Sequence, residues 1–316
     1  MNLPSKEDIL KAAERIGPYT HKTPLISNQS INKIFGGEIF FKCENLQKAG
    51  AFKSRGACNA VFSLNEDEML NGVATHSSGN HAQALARAAS LRNIPAYIVM
   101  PETAPQVKVN AVKSYGGQIT FCKPTLEARE STIKILLEKY DATEIHPYNN
   151  NVIITGQATC AKEIFEEEKE FDIIIAPVGG GGLLSGTAIS TKIFSPKTIV
   201  IAAEPKGADD AYRSFYGDKF VPSINPQTIA DGLLTSLGSI TYPIIKELVD
   251  EVVCVEEGSI IKAMKLVWER MKLIIEPSSA VPLAAILEKK INVIDKKVAI
   301  IFSGGNVDLD NLPWNK

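Results

Sequence analysis

No apolar run in these 316 residues approaches the roughly 20 needed to span a bilayer. Charge of one sign is lacking too: 34 Lys and Arg stand against 36 Asp and Glu, a formal net charge of −2. No field therefore draws the chain to nucleic acid or to an anionic membrane. The five cysteines (Cys43, Cys58, Cys122, Cys160 and Cys254) are scattered, with no CxxC pair. That spacing argues against a disulfide framework and against a structural zinc site. Internal repeats, heptad runs and low-complexity tracts are absent. Residues 1–8 have neither the apolar core of a signal peptide nor the arginine-rich face of a transit peptide. The expectation is a cytoplasmic protein.

What is present is ordinary in bulk and specific in pattern. At 45% hydrophobic and 22% charged residues, the length suits two domains sharing an interface or one large α/β unit. Ser5 with Asp8 three residues on predicts a capped first helix. Apolar strands are predicted at 38–42, 73–75, 96–100, 118–121, 173–178, 199–203, 251–255 and 298–302. Helical patterns fall between them, at 54–64, 80–91, 107–114, 125–139, 158–168, after the glycines to about 194, 259–271 and after Pro277. Residues 149–151, three asparagines, read as irregular. Strand and helix in alternation mark βαβ units and a parallel sheet, hence an α/β fold.

The chemistry starts at Gly50-Ala51-Phe52-Lys53-Ser54-Arg55-Gly56-Ala57. Lysine forms a stable imine with an aldehyde, and Lys53 stands where a strand gives way to a helix. Taken alone it could equally be a solvated lysine at a helix start. Gly179-Gly180-Gly181-Gly182 lies between the apolar run 173–178 and a helical segment. Four glycines cost backbone entropy on folding, and a bare backbone at a helix N-terminus can cradle a phosphate with its N–H groups. An imine-forming lysine and a phosphate cradle together describe pyridoxal 5′-phosphate, an aldehyde that carries a phosphate.

With Ser77-Ser78-Gly79-Asn80-His81 and Ser303-Gly304-Gly305-Asn306, these stretches resemble the fold-type II pyridoxal-phosphate enzymes, in their serine racemase and serine/threonine dehydratase branch. The resemblance covers nearly the whole chain, with the motifs in family order. It implies a two-domain fold like that of the tryptophan synthase β chain: a large domain of 1–74 and 148–316, with a small domain of 75–147 inserted. It implies racemisation of L- and D-serine with α,β-elimination to pyruvate and ammonia. Serine/threonine or threo-3-hydroxyaspartate dehydration stays open as the alternative, and a homodimer is expected.

The resemblance also assigns roles. Lys53 holds the cofactor and acts as base on one face of the substrate Cα; Ser78 serves the opposite face, with helix capping as its other reading. The tract from Gly179 to Gly182 holds the phosphate, Asn80 lies beside the ring hydroxyl, Phe52 packs on the ring, and Ser303 faces the pyridine nitrogen. A serine there leaves a weaker electron sink than a carboxylate would. Ser77, His81 and Arg129 fall at substrate positions, although His81 and His76 also suit structural hydrogen bonding. Glu204, Asp210 and the carbonyl of Ala208 read from the bare sequence as a solvated acidic loop, but they match a Mg²⁺ site that could also take Mn²⁺ or Ca²⁺. Lys48, Gln83 and Tyr115 match contacts to ATP as an allosteric activator. Tyr148 departs from the pattern, standing after His146-Pro147 where the family often has asparagine.

Two rivals remain at this level. In a nicotinamide-dependent dehydrogenase, the strand, glycines, helix and Glu204 would form a dinucleotide fingerprint. The G-x-G-x-x-G spacing fails, because Leu184 or Ser185 falls where the last glycine belongs. A non-catalytic carrier of the cofactor would leave Ser78, Glu204 and Asp210 without a role.

Overall fold

The computed structural model describes residues 3–77, 79–217 and 219–315. Its strands are β1 Leu25–Ser27, β2 Glu38–Cys43, β3 Val73–His76, β4 Ala96–Pro101, β5 Gln118–Cys122, β6 Thr143–Glu144, β7 Ile173–Pro177, β8 Ile199–Pro205, β9 Glu251–Val255 and β10 Lys297–Phe302. They form a six-stranded sheet in the order β1-β2-β10-β7-β8-β9 and a four-stranded sheet in the order β5-β4-β3-β6. β1 pairs antiparallel with β2, and the other pairings are parallel. No helix among the described residues is long and apolar enough to cross a membrane.

The central strands are apolar without a break because both their faces are covered. Ile173, Ile175, Ile201 and Ile300 point into a core that includes residues of the helices Glu257–Met271 and Pro277–Leu287. Ile174, Val200, Ala202 and Ile301 point the other way, into a core with the helices Asn151–Glu167 and Gly182–Phe194. Successive residues thus serve opposite layers, as the pleat requires. In such sheets ligands sit beyond the carboxyl ends of the strands. Those ends lead here into the Lys53 turn after β2, Ser77 after β3, the glycine tract after β7, Lys206–Asp210 after β8 and Ser303 after β10.

The first helix, Lys6–Ile16, carries the expected capping box of Ser5 and Asp8. The helix expected at 158–168 instead runs Asn151–Glu167, and the irregular asparagine stretch is its cap. The Asn150 Oδ1 accepts the N–H groups of Val152 and Ile153 at 2.8 and 3.1 Å. In Val152-Ile153-Ile154-Thr155-Gly156 four β-branched residues precede a glycine, all poor in helix propensity. Burial of Ile153, Ile154 and Gly156 overrides that preference. Strand β1 and the helices Gln29–Phe35, Asp210–Tyr216 and Thr241–Leu248 are further elements that sequence patterning does not predict.

Asn151–Glu167 crosses the Lys53–Ser63 helix at glycines. A Cβ on Gly156 would lie 2.7 Å from the Gly56 Cα and 2.8 Å from the Arg55 carbonyl oxygen. Both obstacles are backbone and cannot rotate away. Gly156→Ala should therefore destabilise the protein by about 1–3 kcal/mol through overpacking. Urea unfolding checks this, as a lower midpoint with an unchanged slope; a wild-type midpoint would mean that the crossing has slack.

Candidate active site

A cavity of about 950 Å³ opens where these strand ends meet. Lys53, Asn80, Gly179 to Gly182 and Ser303 all line it, so four separate stretches of sequence converge. The Lys53 turn is stitched to the Ser303 turn by the Phe52 N–H, which donates to the Ser303 carbonyl at 2.9 Å, and by a bridge between Ala51 and Gly304. Phe52 also lines the cavity.

The Lys53 ammonium donates to the Pro147 carbonyl at 2.9 Å. Burial, with no carboxylate to oppose it, pulls its pKa down from 10.5 to about 8. The share of free, nucleophilic amine near neutral pH is then far larger than for an ordinary lysine, although the ammonium still predominates. Lys53 is not a solvated helix-start lysine.

The glycine tract is confined from several sides. A Cβ on Gly179 would lie 2.8 Å from the Leu233 Cα, and one on Gly180 would lie 2.3–2.5 Å from the Tyr148 ring. Gly181 has φ +87°, a conformation that favours glycine, and caps the helix Gly182–Phe194. Tyr148, the departure noted above, thus lies directly on the tract.

Asn80 does not cap its helix, since Gly79 holds the cap position. Its Nδ2 donates to Glu276 Oε1 at 2.6 Å, and its Oδ1 accepts from Asn306 Nδ2 at 3.0 Å. Glu276 escapes sequence reasoning. An acidic residue before Pro277 looks like any helix cap, yet this one is buried on the cavity wall with Oε2 unpaired by hydrogen bonds. Burial raises its pKa to about 7, against the pull of Lys108, whose ammonium stands 3.9 Å away. Ser303 is buried with its hydroxyl 3.0 Å from that of Ser279.

Three of the four histidines, His76, His81 and His146, also line the cavity. Burial lowers the pKa of each, His146 to about 4, so all are neutral at pH 7. His81 is almost fully buried, with Nε2 3.2 Å from the Ile145 carbonyl oxygen. Ser77 and Arg129 are on the wall as well, and the buried Arg129 Nε has no hydrogen-bond partner among the described residues. An exposed helical arginine would not leave that group orphaned; an anion in the cavity would satisfy it. Ser78 lies outside the described residues.

The acidic pair is buried rather than a solvated loop. Glu204 is fully buried and accepts from the N–H groups of Ala211 and Tyr212 at 3.0 and 2.8 Å. Asp210 is 1% exposed, and among the described residues no donor meets its carboxylate in good hydrogen-bonding geometry, although Ser223 and the Leu237 N–H lie close enough to pull its pKa down. Desolvation raises Glu204 well above its usual range and Asp210 to about 6, a strain that a divalent cation would relieve. Among the described residues no group of three or more His, Cys, Asp or Glu could hold a metal. The expected set has only two such side chains plus the buried Ala208. Lys48, Gln83 and Tyr115 do not line the cavity; Gln83 is buried, the other two partly exposed.

Residues 16–304 match the family described as "Pyridoxal-phosphate dependent enzyme". The chain belongs to that family. The nicotinamide-dependent alternative falls with this match. A serine racemase of Dictyostelium discoideum is 56% identical over 97% of this chain and 96% of its own length. A β-hydroxyaspartate dehydratase of Paracoccus denitrificans is 48% identical over 100% of both chains. The crystal structure of the Dictyostelium discoideum serine racemase superposes with a TM-score of 0.91, covering 96% of this chain and 98% of that one.

As a pyridoxal-phosphate enzyme, the protein fits its cofactor on two counts of its own. A lysine whose pKa is lowered by its surroundings is available to the aldehyde, and a side-chain-free helix N-terminus is available to the phosphate. Only the uncharged amine attacks an aldehyde. Capture of pyridoxal phosphate by apoprotein should therefore speed up with pH and level off above about 8, not near the ordinary lysine value of 10.5. Stopped-flow absorbance across pH 6–10.5 (a span of about 4 units around the lowered value) checks this. A rate still climbing at the top of the range would contradict the burial argument.

Proposed function

We propose that the protein is a serine racemase that interconverts L- and D-serine and also eliminates water from serine, giving pyruvate and ammonia. The observation that carries this reading is one cavity lined by Lys53, whose pKa burial lowers to about 8, and by Ser77, Gly79 and Asn80, in a chain 56% identical to a serine racemase. Bound to Lys53, the cofactor supplies the electron sink that makes the proton on the substrate Cα removable. The remaining work belongs to the protein. Lys53 takes or returns that proton on one face, and Ser78 serves the other, because a single base returns a proton to the side it came from. The backbone of Gly179 to Gly182 binds the phosphate, Asn80 the ring hydroxyl and Ser303 the ring nitrogen, with Phe52 against the ring. Arg129 and Ser77 hold the substrate carboxylate, and His81 keeps the neighbouring wall in place.

The second reading, 3-hydroxyaspartate dehydration, is favoured by the unpaired Arg129 Nε and by the 48% identity to a β-hydroxyaspartate dehydratase. Serine or threonine dehydration needs no second acid–base group at all. We further propose a Mg²⁺ site at Glu204, Asp210 and the Ala208 carbonyl, ATP activation through Lys48, Gln83 and Tyr115, a small domain of 75–147, and a homodimer working in the cytoplasm.

Ser78→Ala is expected to lose racemisation and the elimination of D-serine while keeping elimination of L-serine through Lys53. Chiral product analysis, with pyruvate assayed in parallel, decides it. Equal loss for both enantiomers would make the serine structural, and unchanged racemisation would place the second proton elsewhere.

Thorough chelation should lower both activity and Tm, and Mg²⁺, Mn²⁺ or Ca²⁺ should restore them, since a ligand of the native state stabilises it by mass action. Glu204→Ala or Asp210→Ala should abolish that response. A wild-type protein indifferent to chelator would remove the cation from the proposal.

A further inference from the structure

A run of four glycines has no side chain to decide which way its peptide planes face. Glycine tolerates both hands of backbone, so each plane could present either its carbonyl or its N–H to the cavity. A cradle for an anion needs the N–H groups inward. Something behind the tract must hold the carbonyls back.

Thr241 occupies that place. It is fully buried and is the first residue of the helix Thr241–Leu248. Its hydroxyl donates to the Gly180 carbonyl at 2.8 Å. The same oxygen accepts the Gly238 N–H at 2.7 Å, and of the two carbonyls within reach of its one proton, Gly180 at 2.8 Å is favoured over Gly238 at 3.4 Å. In a planar trans peptide the carbonyl and the next N–H point in opposite directions. Holding the Gly180 carbonyl toward Thr241 therefore turns the Gly181 N–H away from it. A Cβ on Gly181 would lie 2.9 Å from the Thr241 Cβ, so the tract rests directly on this residue.

Asn149 holds the Thr241 turn in its turn. Its Oδ1 accepts the Ile240 N–H at 2.8 Å and its Nδ2 donates to the Ser239 hydroxyl at 3.1 Å. Gly238 lies so close that a Cβ there would be 2.3 Å from the Asn149 Oδ1. The residue before Asn149 is Tyr148, whose ring covers Gly180. The tract is thus held by two neighbouring residues, one through its ring and one through the Thr241 turn.

We propose that Thr241, supported by Asn149, is a positioning residue that fixes the glycine tract in its anion-binding orientation; this rests on the reading of the tract as the cofactor's phosphate site. The test compares two probes on apoprotein: pyridoxal phosphate, which uses Lys53 and the cradle, and pyridoxal, which lacks the phosphate and uses Lys53 alone. Thr241→Val removes the hydroxyl at nearly constant shape. It should weaken pyridoxal phosphate roughly tenfold, the scale of one buried hydrogen bond, and leave pyridoxal affinity unchanged. Thr241→Ser should restore the wild-type value, and Asn149→Ala should show the same selective loss as Thr241→Val. Should Thr241→Val fail to fold, Asn149→Ala and Thr241→Ser carry the comparison between the two probes. Unchanged pyridoxal phosphate affinity in Thr241→Val, or in Asn149→Ala where that variant carries the test, overturns the brace while leaving the family reading intact. Equal weakening of both probes overturns it too, because the damage would then be general. A wild-type protein that prefers pyridoxal phosphate no more than pyridoxal would overturn the phosphate site itself, and the brace with it.

Discussion

The arrangement depends first on a buried charge network that Lys53 does not join. Arg55, two residues along the same helix, is fully buried. Its guanidinium donates to both Glu44 oxygens at 2.7 and 2.8 Å and to both Glu163 oxygens at 2.7 Å. Lys42 adds a second cation at 2.7 Å from Glu163. Two cations and two carboxylates bind β2, the turn after it and the helices Lys53–Ser63 and Asn151–Glu167 into one unit. Such a network is weak evidence for stability, since desolvation offsets much of its attraction. It does fix geometry, because bidentate pairs tolerate little misalignment. With the helix start fixed this way, Lys53 can stand in the cavity without a carboxylate paired to it among the described residues. An ion pair there would have kept the amine charged and inert.

The same economy of charge governs the rest of the wall. His76, His81 and His146 are held neutral by burial. Lys53 comes down to about 8 and Glu276 rises to about 7. Two groups of opposite type, each displaced toward neutrality, are what proton traffic at physiological pH requires. The hydrogen bond between Glu276 and Asn80 connects that inventory to a second side chain of the wall.

Legibility in the sequence followed the physics of each element. The central strands could be read because burial on both faces writes itself as an unbroken apolar run, as in Ile173-Ile174-Ile175. Lys53 and the glycines could be read because their residue types are costly to explain otherwise. The first turns of the helix at 151 could not, because Val152 to Gly156 form a helix only through contacts with a distant segment that includes Gly56. Glu276 was hidden for a related reason. Its chemistry comes from burial beside Lys108, which lies 168 positions earlier in the chain, and no local pattern records a long-range neighbour. Asp210 shows the converse: a string of acidic and small residues suggests a solvated loop, yet the fold buries the carboxylate with Ser223 and the Leu237 N–H only partly offsetting its desolvation.

Tyr148 joins these threads. Read as sequence, it was the misfit in the cofactor corner, while the glycines were explained wholly by a ligand's need for bare backbone. The structure gives the glycines a second cause, since the Tyr148 ring fills the space that a Cβ on Gly180 would need. A bound phosphate would exclude side chains from one side of the tract, and the protein's own packing excludes them from another. A position constrained twice in this way cannot drift by relaxing either demand alone. Replacing Tyr148 by a smaller residue would open room beside Gly180 but would not free the glycine if the tract cradles an anion as proposed, because the anion would still require it. The departure from the family pattern is therefore compatible with the cradle, and it moves the place where variation is tolerated from the tract to the side chain that covers it.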